Sequence, residues 1–175
     1  MSPEKYFSDQ LERTDKWLTF AEAKNAALIA LNVAMCGILG KLIGSEYALA
    51  VSPCFSKLLL VDCTLFVISL LIAVYTFLPD LSNTSNSREK NNMTQKRNLI
   101  FYRDIQWFEN PQDYIQYFCK YYNYCEKDIL KPIFIDFASE IIINSQITVR
   151  KYNFFKKALY VDSLAFLLFL LGLIL

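Results

Sequence analysis

Four polar side chains stand inside or at the edge of otherwise apolar runs: Lys24, Asn32, Asp62 and Asp162. A polar group at membrane depth is costly and is kept where it joins helices or lines a path for water or ions. These four are the candidates for membrane-helix association or for a pore. Asp62 lies about one turn inside its run, so it also reads as an interfacial carboxylate or a cap; pairing with Lys41 is the functional alternative. A second set comprises Arg97, Arg103, Tyr114, Arg150 and Lys151. A soluble anionic ligand needs cationic groups beside aromatic rings, and these are the candidates for binding one. Each basic residue of the set reads equally as ordinary charge flanking a membrane. Tyr114 reads either as core or as part of a platform on which a nucleobase stacks.

Other chemistry is missing from the chain. It has no histidine, which removes the commonest general base and the commonest metal ligand. No Gly-rich phosphate loop, nucleophile elbow or zinc spacing occurs. The expectation is a non-enzyme with no catalytic residue, no metal and no cofactor. The net charge of +1 gives no reason to expect nucleic acid. The five cysteines, Cys36, Cys54, Cys63, Cys119 and Cys125, form no C-x-x-C pair and are expected to be free thiols. The first residues lack the short apolar core of a secretory signal.

The elements that must position these residues follow from the apolar pattern. Residues 1–25 carry Phe7, Leu11, Leu18 and Ala21 close to a heptad spacing, with Tyr6 and Trp17 beside them. This predicts an amphipathic helix that packs on its own protein or, alternatively, on a neighbouring copy. Residues 26–44 form a first transmembrane candidate with small residues at three- and four-residue spacing, and nothing breaks the helix between the two segments. Residues 45–57 read as a connection and 58–78 as a second span closed by Pro79. Residues 82–97 read as a polar linker inside a block of 79–157. Within that block, Asn110-Pro111-Gln112-Asp113 is a helix start, predicting a helix to about Leu130 with Tyr114, Phe118, Tyr121 and Tyr122 on one face. Pro132 begins another helical pattern that runs into a third span at 158–175. The fold class is therefore an all-α membrane protein. It has three transmembrane helices and a helical cytoplasmic module, and its first and last helices are long and continuous from cytoplasm into membrane.

Charge sets the expected orientation. Lys and Arg number four in residues 1–25, one in the first connection and twelve between Pro79 and Lys157. The N-terminus and residues 79–157 are expected in the cytoplasm of a multi-pass protein, with the first connection and the C-terminus outside.

Several segments together resemble a known family. They are Ala21-Glu22-Ala23-Lys24-Asn25-Ala26 running into Leu28 and Asn32, the close of the second span in Phe77-Leu78-Pro79, and Asn98-Leu99-Ile100-Phe101-Tyr102 followed by Tyr114. The last is Ser145-Gln146-Ile147 through Lys151-Tyr152. This order, from about Asp15 to Tyr160, resembles the transmembrane effector of Pycsar anti-phage defence. That family favours Asp before the Ala-Lys pair; here Glu22 keeps the charge on a longer arm. The resemblance implies an inner-membrane effector that responds to a cyclic pyrimidine nucleotide, cyclic UMP or cyclic CMP, and impairs the membrane so that the infected cell stops supporting the phage. Some relatives carry a separate cyclic-nucleotide-binding domain. This chain has no such stretch, so its helical block would bind the nucleotide itself or another signal would act.

The expected partners are membrane lipid, further copies of the chain in a homo-oligomer, and a cyclic nucleotide. Two other readings compete: a non-enzymatic membrane subunit that docks a cytoplasmic partner, and a small channel or transporter built by oligomerisation.

Overall fold

The computed structural model describes residues 2–45, 53–78, 97–124 and 131–174. Among them 86% are helical and none is in a strand. Five helices follow in order: α1 (Pro3–Ile43), α2 (Pro53–Tyr75), α3 (Tyr102–Ile105), α4 (Pro111–Tyr122) and α5 (Pro132–Ile174). Most of the expected connection at 45–57, nearly all of the polar linker, and Pro79 and Cys125 lie outside the described residues. Cys36, Cys63 and Cys119 are free thiols.

α1 is one helix of 41 residues. Ser2 opens it, its Oγ accepting the Lys5 N–H at 3.4 Å and its carbonyl accepting that of Tyr6. Pro3 sits where a missing N–H costs nothing. α2 begins at Pro53 for the same reason, five residues before the apolar run suggests. It ends at Tyr75, short of Leu78, because Thr76, Phe77 and Leu78 turn back onto the carbonyls three residues earlier. α4 stops at Tyr122 and does not reach Leu130. Asn123 adopts the left-handed conformation (φ 59°, ψ 43°), and its N–H closes on the Cys119 carbonyl. Asparagine is among the few residues that tolerate this geometry.

Among the described residues two helices, α1 and α2, are long and apolar enough to cross a membrane, where three were expected. In α5 the apolar stretch with described side chains is 158–172. At 1.5 Å per residue it covers only ~22 Å of a ~30 Å hydrocarbon core. Extending it backwards takes in Lys157 and Lys156.

The chain divides into two compact units: residues 1–21 with 80–150, and residues 22–79 with 151–175. The core of the first unit gathers Phe7, Tyr114, Ile115, Phe118, Phe134 and Ile141. Phe7 meets the rings of Phe118 at 5.1 Å and Phe134 at 5.4 Å. The buried stripe of α1 here is Phe7, Gln10, Thr14 and Ala21, so two polar residues occupy positions that the apolar pattern had passed over. The heptad stripe is thus used inside its own unit. On α4 the buried face is Tyr114, Ile115, Phe118 and Cys119, whereas Tyr121 and Tyr122 are exposed. Residues one and four apart share the inner face; Tyr121 falls outside that arc.

Segment 97–101 is not helical, so its backbone groups need partners from elsewhere. Tyr6 and Tyr114 both donate to the Leu99 carbonyl, at 3.1 and 3.2 Å. Gln10 Nε2 donates to the Ile100 carbonyl at 2.8 Å, and the Arg97 N–H donates to the Tyr117 hydroxyl at 2.9 Å. On the other flank Asn144 Nδ2 donates to Asp15 at 2.7 Å. Burial pushes the Tyr6 and Tyr114 hydroxyls well above the ordinary tyrosine value of 10.0.

Phe7→Ala should cost the first unit about 3–5 kcal/mol, read as lost amide exchange protection across residues 97–122. Ile133→Ala, at an exposed position, should cost under ~0.5 kcal/mol. The tyrosines give a pH dependence. Their folded pKa values lie above the unfolded one, so the protonated forms favour the folded unit below pH 10.0. That stabilisation is lost as pH rises beyond the unfolded value towards the folded ones. Denaturant unfolding at rising alkaline pH should show it, and Tyr6→Phe should reduce the slope.

Candidate functional site

The second unit is assembled from α1 after Ala21, α2, and α5 after Arg150. Its buried positions step by three or four residues on each helix, the spacing of a coiled-coil seam. On α1 they include Asn25, Leu28, Asn32 and Leu39; on α2, Asp62, Phe66, Ser69 and Ala73; on α5, Ala158, Asp162 and Ala165. Two apolar layers result. One holds Leu28, Ala73 and Ala158, and the other holds Leu39, Leu59, Phe66 and Ala165.

Between those layers lies a polar one. Asn32 is one turn beyond Leu28, Ser69 one turn before Ala73, and Asp162 one turn beyond Ala158. Asn32 Nδ2 donates to Ser69 Oγ at 3.0 Å, and Ser69 Oγ donates to the Ala158 carbonyl at 3.1 Å. Asp162 stands beside Ser69 and Asn32. None of the three is more than 1% exposed. Sequence reasoning singled out Asn32 and Asp162 but missed Ser69. Ser69 carries no charge and sits in a run where a serine can bond to its own helix, so nothing marked it. Asp62, also buried, lies on α2 two turns before Ser69, and its Oδ1 has no hydrogen-bond partner. Lys41 is exposed and does not pair with it.

The outside of this unit is apolar. Leu31, Val33 and Ile38 on α1, and Leu164, Leu167 and Leu171 on α5, are each at least 39% exposed. Only 17% of the apolar stretch of α1 and 28% of that of α2 is buried. A soluble core helix would hide this surface. Polar groups inside and leucines outside are the arrangement of a protein whose solvent is lipid. At one end of the unit, cations meet rings. Lys24 Nζ lies over Tyr152 at 5.3 Å and Phe155 at 5.8 Å, and Lys151 Nζ pairs with Glu22 at 2.6 Å beside the Phe77 ring. Such groups suit the headgroup level.

The candidates for an anionic ligand come from the segment before α3 and from α3, α4 and α5, and Arg97 and Tyr114 both meet the Phe108 ring. Tyr114 is fully buried and has no ring face to offer. Arg97 lies over the Phe108 ring at 5.2 Å, Arg103 is exposed on α3, and Arg150 closes the first unit. Lys151 belongs to the second unit and is held by Glu22. The first unit does contain a groove of about 230 Å³ that none of these residues lines. Its walls are Tyr6, Ile100, Phe118, Tyr122 and Tyr124, with Asp9, Gln10 and the exposed Arg13 at the polar side. Tyr6 and Phe118 are 4.5 Å apart, and Phe118 and Tyr122 are 5.0 Å apart. Arg13 escaped notice in the sequence because it lies 111 residues from the last aromatic that it joins. Among the described residues, no three acidic or cysteine side chains gather as a metal site would need.

No curated protein and no solved structure matches the chain. The family model described as the Pycsar effector protein domain matches residues 6–175.

Proposed function

The chain belongs to the Pycsar effector family, and we propose that it acts there as a non-enzymatic, membrane-impairing effector of anti-phage defence. Family membership assigns it to defence, and the apolar exterior of the second unit makes it a membrane protein. The further reading is a multi-pass protein of the inner membrane, with the first unit in the cytoplasm. It comprises self-association, a cyclic pyrimidine nucleotide as trigger, and loss of membrane potential followed by abortive infection.

One observation carries this reading: a face of α1 inside the apolar unit has no partner among the described residues. Ala27, Ala30, Ala34 and Gly37 are all exposed, and a Cβ added at Gly37 or Gly40 would meet nothing within 4 Å. Small residues at this spacing let membrane helices approach closely. Here the face is free for a second copy, because Asn32 and Leu28 serve the chain's own packing. For the trigger, the groove at Tyr6, Gln10, Arg13 and Tyr122 supports the reading. It sets ring faces for stacking beside a guanidinium that can hold a phosphate. α1 and α5 each run unbroken from one unit into the other, a mechanical route from groove to membrane.

The deciding experiment measures membrane potential in cells producing the protein, with and without cyclic UMP or cyclic CMP. Depolarisation only with nucleotide is expected, and Arg13→Glu should abolish the nucleotide dependence while the protein stays in the membrane. Depolarisation without nucleotide would keep the effector and remove the trigger. An unchanged potential throughout would favour a membrane subunit that docks a cytoplasmic partner. Gly37→Leu fills open space and should leave the fold intact. It should nevertheless lower the crosslinked oligomer fraction and the depolarisation together.

A further inference from the structure

The polar layer of the second unit is short of positive charge. Asp162 is buried with neither Oδ1 nor Oδ2 satisfied, and Asn32 Oδ1 has no partner either. The Ser69 proton is committed to the Ala158 carbonyl. Among the described residues no ion pair joins Asp162 to a lysine or arginine: Lys24 lies over Tyr152 and Phe155, and Lys151 is held by Glu22. A carboxylate this deep without a countercharge is not left bare.

We propose that the layer binds one monovalent alkali cation, held by the Asp162 carboxylate and Asn32 Oδ1, with Ser69 Oγ beside it. The chemistry of the donors selects the ion. All are oxygens, which suit hard cations. A single carboxylate balances one positive charge and leaves a divalent ion under-compensated. The nearby thiols of Cys36 and Cys63 do not complete a transition-metal set with Asp162 among the described residues. A proton on Asp162 would also cancel the charge, but it offers one donor to three unsatisfied acceptors, whereas a cation has no such directional limit and is shared among oxygens. Three helices contribute to the layer, one each for Asn32, Ser69 and Asp162. Filling the site therefore ties α1, α2 and α5 together, and emptying it loosens them.

The test uses the full chain purified in detergent micelles. Equilibrium dialysis with radioactive sodium, in choline chloride at constant ionic strength, should reveal one saturable site per chain. Thermal unfolding should occur at a higher temperature in sodium chloride than in choline chloride. Asp162→Asn keeps the side-chain shape and should remove both the binding and the sodium effect. Ser69→Ala should weaken binding at least severalfold without abolishing it, which keeps the proposal testable if the first variant does not fold. Absence of saturable sodium binding to the unaltered protein would overturn the proposal, as would undiminished binding to Asp162→Asn. Stability that ignores sodium but rises as pH falls, and loses that dependence in Asp162→Asn, would assign a proton and overturn it as well.

Discussion

The buried contact between Asn32 and Ser69, with Asp162 at its side, constrains the second unit more than any apolar contact does. Apolar layers slide: leucine against lipid and leucine against alanine differ little when the surroundings are hydrocarbon. A hydrogen bond between two helices does not slide, because moving one turn leaves a donor and an acceptor unpaired in a medium without water. The Asn32–Ser69 bond fixes α1 against α2, and the Ser69–Ala158 bond fixes α2 against α5. The apolar layers on either side then fall into place, with Leu28 beside Ala73 and Ala158, and Leu39 beside Phe66 and Ala165.

The first unit solves a different problem. Its aromatic core is dense, but the segment before α3 brings in the Leu99 and Ile100 carbonyls, which side chains rather than a helix satisfy. Three side chains reach them, two from α1 and one from α4. This explains why Gln10 is buried on a face otherwise chosen for rings, and why tyrosines rather than phenylalanines stand at positions 6 and 114. Water inclusion would serve those carbonyls equally well, but it would open the core. Specificity of the first unit thus rests on hydroxyl and amide groups, as that of the second rests on an amide, a hydroxyl and a carboxylate.

Much of the architecture is legible in the sequence, and the gaps have physical causes. The unbroken α1 and α5 follow from long stretches without a breaker, and the start of α4 follows from Asn110 and Pro111. The end of α4 was misread because Asn123 looks like any polar residue until its left-handed backbone is seen. Apolar periodicity finds Phe7 and Ala21 but is blind to Gln10 and Thr14, which occupy the same stripe with satisfied or locally bonded groups. Polar outliers in apolar runs flagged Asn32 and Asp162, yet no pattern pairs residues 130 positions apart. The basic candidates fared differently. Charge counts say which side a residue faces, not which neighbours it meets, so Arg97 and Lys151 prove to be occupied by a ring and a carboxylate.

α1 shows how one helix serves two purposes. Asn25, Leu28, Asn32 and Leu39 form the inner seam, and Ala27, Ala30, Ala34 and Gly37 lie on the other side. Positions 30 and 32 differ by two residues, roughly 200° around the helix, so the faces do not overlap. Asn32 and Asp162 lie on the inner seams of their helices and are buried within the unit. The small-residue face is exposed along this stretch, and a Cβ added at Gly37 would meet nothing within 4 Å. The two faces are separable at the level of single residues. A change at Asn32 loosens the protomer, whereas added bulk at Gly37 meets only what lies outside it.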